Sequence, residues 1–207
     1  MGGSRRLAAV EDLRIASLRR RLAARPARRA PRDAAPLEAA VSLVLRPAEE
    51  LELLLIQRVE RPEDPWSGHM ALPGGRREPG DPDLLATALR ETEEEVGVAI
   101  DRNGHLLGAL DEVHPASRHL PPLVIAPFVA LVEPEVEAVP DPREVAAAVW
   151  IPLSHLQGDA ALSEVLIELE GGRRRFPSFR FGDYQIWGLT FRILEQFLEL
   201  VEPPRPG

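Results

Sequence analysis

Between Leu72 and Val98 the chain reads Leu-Pro-Gly-Gly-Arg-Arg-Glu-Pro-Gly-Asp-Pro-Asp-Leu-Leu-Ala-Thr-Ala-Leu-Arg-Glu-Thr-Glu-Glu-Glu-Val-Gly-Val, and few folds can accommodate it. A glycine pair closes one segment. Asp81-Pro82 then predicts a helix start, because Asp is a good N-cap and Pro is tolerated at the first helical position, where its missing N–H would be unpaired anyway. Gly97 predicts the stop, since glycine takes a positive φ at little cost. On that helix Leu85, Leu89, Thr92 and Val96 form one stripe able to face a core. Glu95 falls about 40° to one side of Glu91 and Glu94 about 60° to the other, so three carboxylates are expected on one patch, while Glu93 points elsewhere. Like charges so spaced repel mildly. A hard divalent cation, which prefers oxygen ligands, would offset that repulsion.

An acidic run on a helix is usually a solvated face. What raises this one above that reading is the set Gly75, Arg90, Glu91, Glu94, Glu95, Gly97 and Val98. It resembles the signature of the Nudix hydrolase family, G-x5-E-x7-R-E-U-x-E-E-x-G-U, where U is a bulky apolar residue. There are two departures. Asp81 stands for the first Glu with eight residues before Arg90, and Thr92 occupies an apolar slot.

The resemblance implies hydrolysis of a diphosphate joined to another moiety, with Mg2+ or Mn2+ as cofactor. It implies Glu91, Glu94, Glu95 and the Gly75 carbonyl as metal ligands and Arg90 as the residue that orients carboxylates. Asp81 is read mainly as the helix cap. The family's general base is either a signature-helix Glu or a carboxylate from a later loop. Glu144, within Asp141-Pro142-Arg143-Glu144-Val145, is the loop candidate. His69, His114 and His119 are read first as loop histidines and only second as proton carriers.

Further features resemble the coenzyme A pyrophosphatase branch of the family. These are Leu54-Leu55-Ile56-Gln57-Arg58, Gly68 ahead of Leu72-Pro73-Gly74-Gly75, the spacing from Asp81 to Arg90, and Ile186-Trp187-Gly188-Leu189-Thr190. The branch's upstream motif carries an arginine where this chain has Asp64, and Glu60 and Glu63 further reduce the positive charge there. Arg58 and Arg61 are the candidates for holding substrate phosphate, with Gly74 and Gly75 beside them. The expected substrate is coenzyme A or acyl-CoA. Dinucleoside polyphosphates, nucleotide sugars and oxidised nucleotides are the enzymatic alternatives. A non-catalytic Nudix-fold binding protein is the remaining one, and the intact Glu91, Glu94 and Glu95 count against it.

Composition sets the surroundings. With 207 residues, 44% hydrophobic and 28% charged, the chain suits one globular domain with a sizeable core. A net charge of −8 argues against broad attraction to nucleic acid or a membrane surface. There is no lysine, so phosphate recognition by a permanently charged side chain must use guanidinium forks. There is no cysteine and no apolar run long enough to span a membrane. Without a secretory h-region the default compartment is cytoplasmic; Glu11, Asp12 and Asp33 count against reading the Arg-rich start as a mitochondrial presequence.

In order, Leu7 to Ala24 predicts an amphipathic helix that packs on the domain or on a partner subunit, which leaves a homodimer open. Residues 25–36 read as a Pro/Arg-rich linker. Ala39–Leu45 and Leu51–Ile56 predict a hairpin, His105–Leu110, Pro122–Val132 and Ala147–Pro152 further strands, and Leu153–Leu156 a short helix. Leu166–Leu169 and Phe176–Phe181 predict a second hairpin, and Tyr184–Val201 a closing amphipathic helix. The expected organisation is an N-terminal helix and linker over 1–36, a Nudix domain over 37–201 and a tail over 202–207. The fold class is α/β, an α/β/α sandwich around a mixed sheet.

Overall fold

The structure is a computed structural model that describes residues 13–30, 37–60, 68–115, 123–169 and 172–201. Arg61, Glu63, Asp64, His119 and the tail lie outside them.

Two neighbouring strands carry the architecture. Strand β1 (Leu37–Pro47) and β2 (Leu51–Arg58) form the expected antiparallel hairpin, paired at Leu45↔Leu53 and Pro47↔Leu51. Beyond that end they take other partners on the sides that face each other. There β1 pairs with β4 (Gly74–Arg76), and β2 pairs with β3 (Met70–Ala71). The Leu72-Pro73 segment joining β3 to β4 is thereby held between the two strands, and the Ser42 N–H donates to the Pro73 carbonyl at 2.8 Å. On its outer side β1 runs parallel to β6 (Leu123–Val132), which pairs antiparallel with β5 (Gly104–Ala109). The outer side of β2 takes β7 (Val145–Pro152) antiparallel. The sheet is therefore seven-stranded and, as expected, mixed.

Because β1 and β2 are covered on both faces, they read as continuous apolar runs rather than alternating ones. Leu43, Leu45, Leu53 and Leu55 face one layer with Ile15, Leu18 and Leu22 of α1 (Leu13–Ala24) and Phe191, Ile193, Leu194 and Phe197 of α5 (Gly188–Leu198). Val44, Leu54 and Ile56 face the other, with Val96 of α2 (Leu84–Val96), Ile100 of α3 (Ile100–Asn103) and Val98 between them. This is the α/β/α sandwich. The N-terminal helix belongs to its core: a Cβ on Gly108 would lie 2.9 Å from that of Leu22. Residues of the expected linker are fastened too, with the Arg28 and Ala30 N–H groups donating to Asp111 and Glu112 at 2.8 and 2.7 Å. Among the described residues no helix is long and apolar enough to cross a membrane.

After β7 come the short helix α4 (Leu153–Leu156) and a second, three-stranded antiparallel sheet of β8 (Leu162–Leu169), β9 (Gly172–Phe181) and β10 (Tyr184–Trp187). Here the expectation of one helix from Tyr184 to Val201 is corrected. Tyr184–Trp187 pairs as a strand with Phe181–Ser178, and the helix begins only at Gly188, whose φ of 68° turns the chain out of the sheet.

Candidate active site

The site is built where α2 crosses the Leu72–Gly75 segment. The helix starts later than the sequence suggests. Its N-cap is Asp83, which accepts from the Ala86 N–H at 2.8 Å, so Asp81 as N-cap is a correction. The reason is that both Asp81 oxygens are already committed. They accept from Arg90 Nε and Nη2 at 3.0 Å each, from the Glu78 N–H at 2.9 Å and from the Thr87 hydroxyl at 2.9 Å. Hydrogen bonds from Arg90 above all hold that carboxyl well below the usual carboxylate range. Asp81 thus acts as the anchor of Arg90, and its oxygens are spoken for.

Arg90 is accordingly no ordinary surface ion pair. Besides the fork to Asp81, it donates to the Arg76 carbonyl at 3.2 Å and to Glu94 at 2.9 Å, and its Nη2 lies 3.1 Å from Glu91 Oε1. One guanidinium, planar and always charged, fastens the β4 strand to the helix and aligns two signature glutamates. Gly97 ends the helix as expected, with φ 68° and its N–H on the Glu93 carbonyl.

The buried face of α2 is rotated relative to the expected stripe. Thr87, Ala88, Thr92, Glu95 and Val96 are buried, whereas Leu85 and Leu89 are half-buried. Two polar residues set this rotation. The Thr92 hydroxyl donates to the Ala88 carbonyl at 2.7 Å and lies in hydrogen-bond contact with the Ser42 hydroxyl at 2.8 Å, which explains why a hydroxyl is tolerated in the apolar slot. Glu95, only 4% exposed, accepts from the Gly74 N–H at 2.8 Å. Gly74 is required there, because a Cβ would lie 2.2 Å from the Ala40 carbonyl oxygen at a φ of 148°. At Gly75 a Cβ would come within 2.4 Å of the Glu91 carboxyl carbon. The glycine pair is the floor on which Glu91 and Glu95 rest.

The expected trio of carboxylates is thus a pair with a neighbour. Glu91 and Glu95 face the glycines, while Glu94 is exposed and turned onto Arg90 at the i,i+4 spacing. Among the described residues no three acids or histidines are gathered closely enough to hold a metal ion unaided. Glu93 points away, as expected, and pairs with Arg102.

The helix's C-terminal carbonyls bring in the next component. The Asp141 and Val139 N–H groups donate to the carbonyls of Glu95 and Val96 at 2.8 Å each, satisfying acceptors that a helix end leaves open. The same loop is tied down by the Glu144 carbonyl, which accepts from the Val59 N–H at 2.9 Å, and by Arg46, which donates to the Val136 carbonyl at 3.0 Å. Glu144 is therefore delivered to the acids: its charge acts on both Glu91 and Glu95. Arg58, at the end of β2, is close enough for its charge to act on Glu95. His69 instead packs edge-on against Trp187, with ring centroids 5.0 Å apart, and His114 is exposed with its carbonyl accepting from Arg192.

Burial, the largest cause, pushes the Glu95 carboxyl up to about 8 from 4.5, with repulsion from Glu91 and Glu144 adding to it against the Gly74 N–H and Arg58. Burial raises Glu91 as well, opposed by Arg90 and reinforced by Glu94 and Glu144. Crowded oxygens that resist ionisation in the absence of a counter-charge are a donor set suited to a hard divalent cation. The sign of the pH dependence follows. Between 4.5 and about 8 the folded chain holds a proton at Glu95 that the unfolded chain has released, so stability must fall as pH rises through that window. In chelator, urea unfolding is expected to show a loss on the order of 1–3 kcal/mol from pH 5 to pH 8.5, flattened in Glu95→Gln. A wild-type profile as flat as the variant's would refute the assignment.

The glycine floor, the clamped Arg90 and the two carboxylates held on the glycines are the parts that the signature resemblance implies. The NUDIX domain family model matches residues 36–169, and the chain belongs to the Nudix hydrolase family. It is 33% identical over 180 residues to the human mitochondrial coenzyme A diphosphatase NUDT8, spanning 82% of this chain and 72% of that protein. It is 43% identical over 131 residues to an uncharacterized protein of Schizosaccharomyces pombe, spanning 61% of this chain but only 40% of that protein. Among solved structures, a MutT/nudix family protein from Enterococcus faecalis superposes with a TM-score of 0.55 at 19% identity, covering 82% of this chain and 63% of that one, a likeness of fold.

Proposed function

We propose that this chain is a divalent-metal-dependent pyrophosphohydrolase that splits coenzyme A or acyl-CoA into adenosine 3',5'-bisphosphate and a 4'-phosphopantetheine product. The observation that carries the hydrolytic reading is the convergence of Glu91 and Glu95 on the Gly74-Gly75 floor, within electrostatic reach of Glu144. The human relative's name supports the choice of substrate.

In this reading Glu91 and Glu95, with Glu94 and the Gly75 carbonyl, would hold Mg2+ or Mn2+. Such a cation neutralises diphosphate charge and acidifies a water. Arg90 keeps Glu91 and Glu94 in place, and its anchor Asp81 keeps Arg90 in place. Glu144 accepts a proton from the attacking water. Arg58 offsets the charge of the acids and faces the anionic substrate, with Arg61 as the second phosphate contact.

The acid-rich stretch Glu60, Glu63 and Asp64 favours a second reading, cleavage of a nucleotide derivative without a 3'-phosphate. The test compares coenzyme A with its 3'-dephospho form, and both with a dinucleoside polyphosphate and a nucleotide sugar, identifying products by mass. A guanidinium fork on the 3'-phosphate is expected to favour coenzyme A by about ten-fold or more, a preference that declines in Arg58→Ala or Arg61→Ala. A wild type indifferent to the 3'-phosphate, or faster on another diphosphate, overturns the coenzyme A reading.

A further inference from the structure

A cleft of about 250 Å³ opens between the end of β2 and the three-stranded sheet. Gln57, Gly68, His69 and Met70 line one side; Val165 and Ile167 of β8, and Asp183, Gln185 and Trp187 at β10, line the other. It lies on the face of the sheet where Met70 packs with the α1 and α5 layer, whereas the acids stand on α2 against the other face. The two regions nevertheless meet around the strand's end. There the Arg58 N–H donates to the His69 carbonyl and the Gly68 N–H to the Arg58 carbonyl, both at 3.1 Å.

The chemistry of the lining is distinctive. Among the described residues its lining contains no arginine and Asp183 is its one full charge, so a phosphate is poorly matched to it. Its walls are aliphatic and aromatic, with Trp187 fixed between His69 and Phe176 at centroid distances of 5.0 and 5.6 Å. Two amides complete it, each half used. The Gln57 amide nitrogen donates to the Gly68 carbonyl at 3.4 Å, and the Gln185 amide oxygen accepts from the Ser178 hydroxyl at 3.0 Å. That leaves the Gln57 oxygen as an acceptor and the Gln185 nitrogen as a donor, complementary to the N–H and C=O of a secondary amide.

We infer that this cleft binds the uncharged, amide-bearing arm of the substrate, the pantetheine portion, while the adenosine phosphates remain on the arginine side of β2. The inference rests on the coenzyme A reading. An adenosine 3'-phosphate placed here would meet Asp183 and no guanidinium among the lining residues. An arm threaded past Gln57 and Gln185 meets apolar walls and two matched amides.

The probe is pantetheine, which carries the amides without phosphate, used as an inhibitor of coenzyme A hydrolysis beside adenosine 3',5'-bisphosphate. Pantetheine is expected to compete in the wild type and to lose about 5- to 50-fold in affinity in Gln185→Leu, as for a polar group left unmatched in a binding site. Val165→Trp, which fills the cleft without touching either amide, should weaken pantetheine similarly. In both variants the ratio of kcat/KM for coenzyme A to that for ADP-ribose should fall, with thermal unfolding confirming that they fold. Should the wild type cleave coenzyme A while both variants leave pantetheine inhibition unaltered, the cleft assignment alone is wrong. Loss of inhibition by the adenosine bisphosphate in place of pantetheine would assign the cleft to the nucleoside and overturn it equally. A wild type that does not cleave coenzyme A removes the substrate reading, and the arm's place goes with it.

Discussion

Glu95→Gln and Glu91→Gln are each expected to cut turnover by about 10²–10⁴-fold, whereas Glu93→Gln should stay close to wild type. All three remove one negative charge from the same helix, so the contrast isolates position from charge. Glu95 is buried against the Gly74 N–H and Glu91 against Gly75, while Glu93 sits on the outer face with Arg102. Glutamine can keep the Gly74 hydrogen bond through its amide oxygen. A loss in Glu95→Gln therefore reports the missing charge and not a collapsed turn. Glu94→Gln is expected to fall between the extremes, because Glu94 is exposed and its charge is already partly offset by Arg90. Steady-state rates over a range of Mg2+ or Mn2+ concentrations give the measurement. Equal activity in the Glu91, Glu93 and Glu95 variants would defeat the assignment of the helix acids.

What could be read in advance, and what could not, divides along a physical line. The hairpin of β1 and β2, the strand at β6 and the helix stop at Gly97 follow from local pattern and glycine conformation, and they stand as expected. Asp81 was misplaced because cap propensity is a local rule, and a buried fork from Arg90, nine residues away, outweighs it. The inward turn of Glu95 was illegible for a similar reason. Helical periodicity assigns a charged residue outward, and only the Gly74 N–H, delivered by the splaying of β1 from β2, gives that carboxylate a buried partner. Tyr184–Trp187 satisfies a helical apolar pattern as well as a strand's, and pairing with β9 decided it. Of the loop residues, Glu144 was a candidate because the family resemblance implies a carboxylate from a loop after the signature helix. Its delivery to the site depends on the α2 carbonyls that capture the Val139 and Asp141 N–H groups, which no sequence pattern announces.

Glu144→Gln should separate proton transfer from metal binding. Glu144 is exposed and lies on the loop beyond the helix, yet its charge reaches both Glu91 and Glu95. A carboxylate so placed can accept a proton from water without belonging to the buried donor pair. Losing a general base of this kind costs about 10²–10⁴-fold in kcat, and the glutamine is nearly the same size. The backbone contacts that hold the loop, the Glu144 carbonyl to Val59 and the Asp141 N–H to Glu95, do not involve the side chain and should survive. The expected signature is therefore a large fall in kcat, loss of the acidic limb of the pH–rate profile, and metal affinity within a few-fold of wild type. Glu91→Gln and Glu95→Gln should instead weaken metal binding and turnover together. If Glu144→Gln turns over at the wild-type rate with an unchanged pH profile, the base belongs to the helix. If it loses metal affinity as severely as the helix variants, Glu144 is a ligand, and the division of labour drawn between loop and helix is wrong.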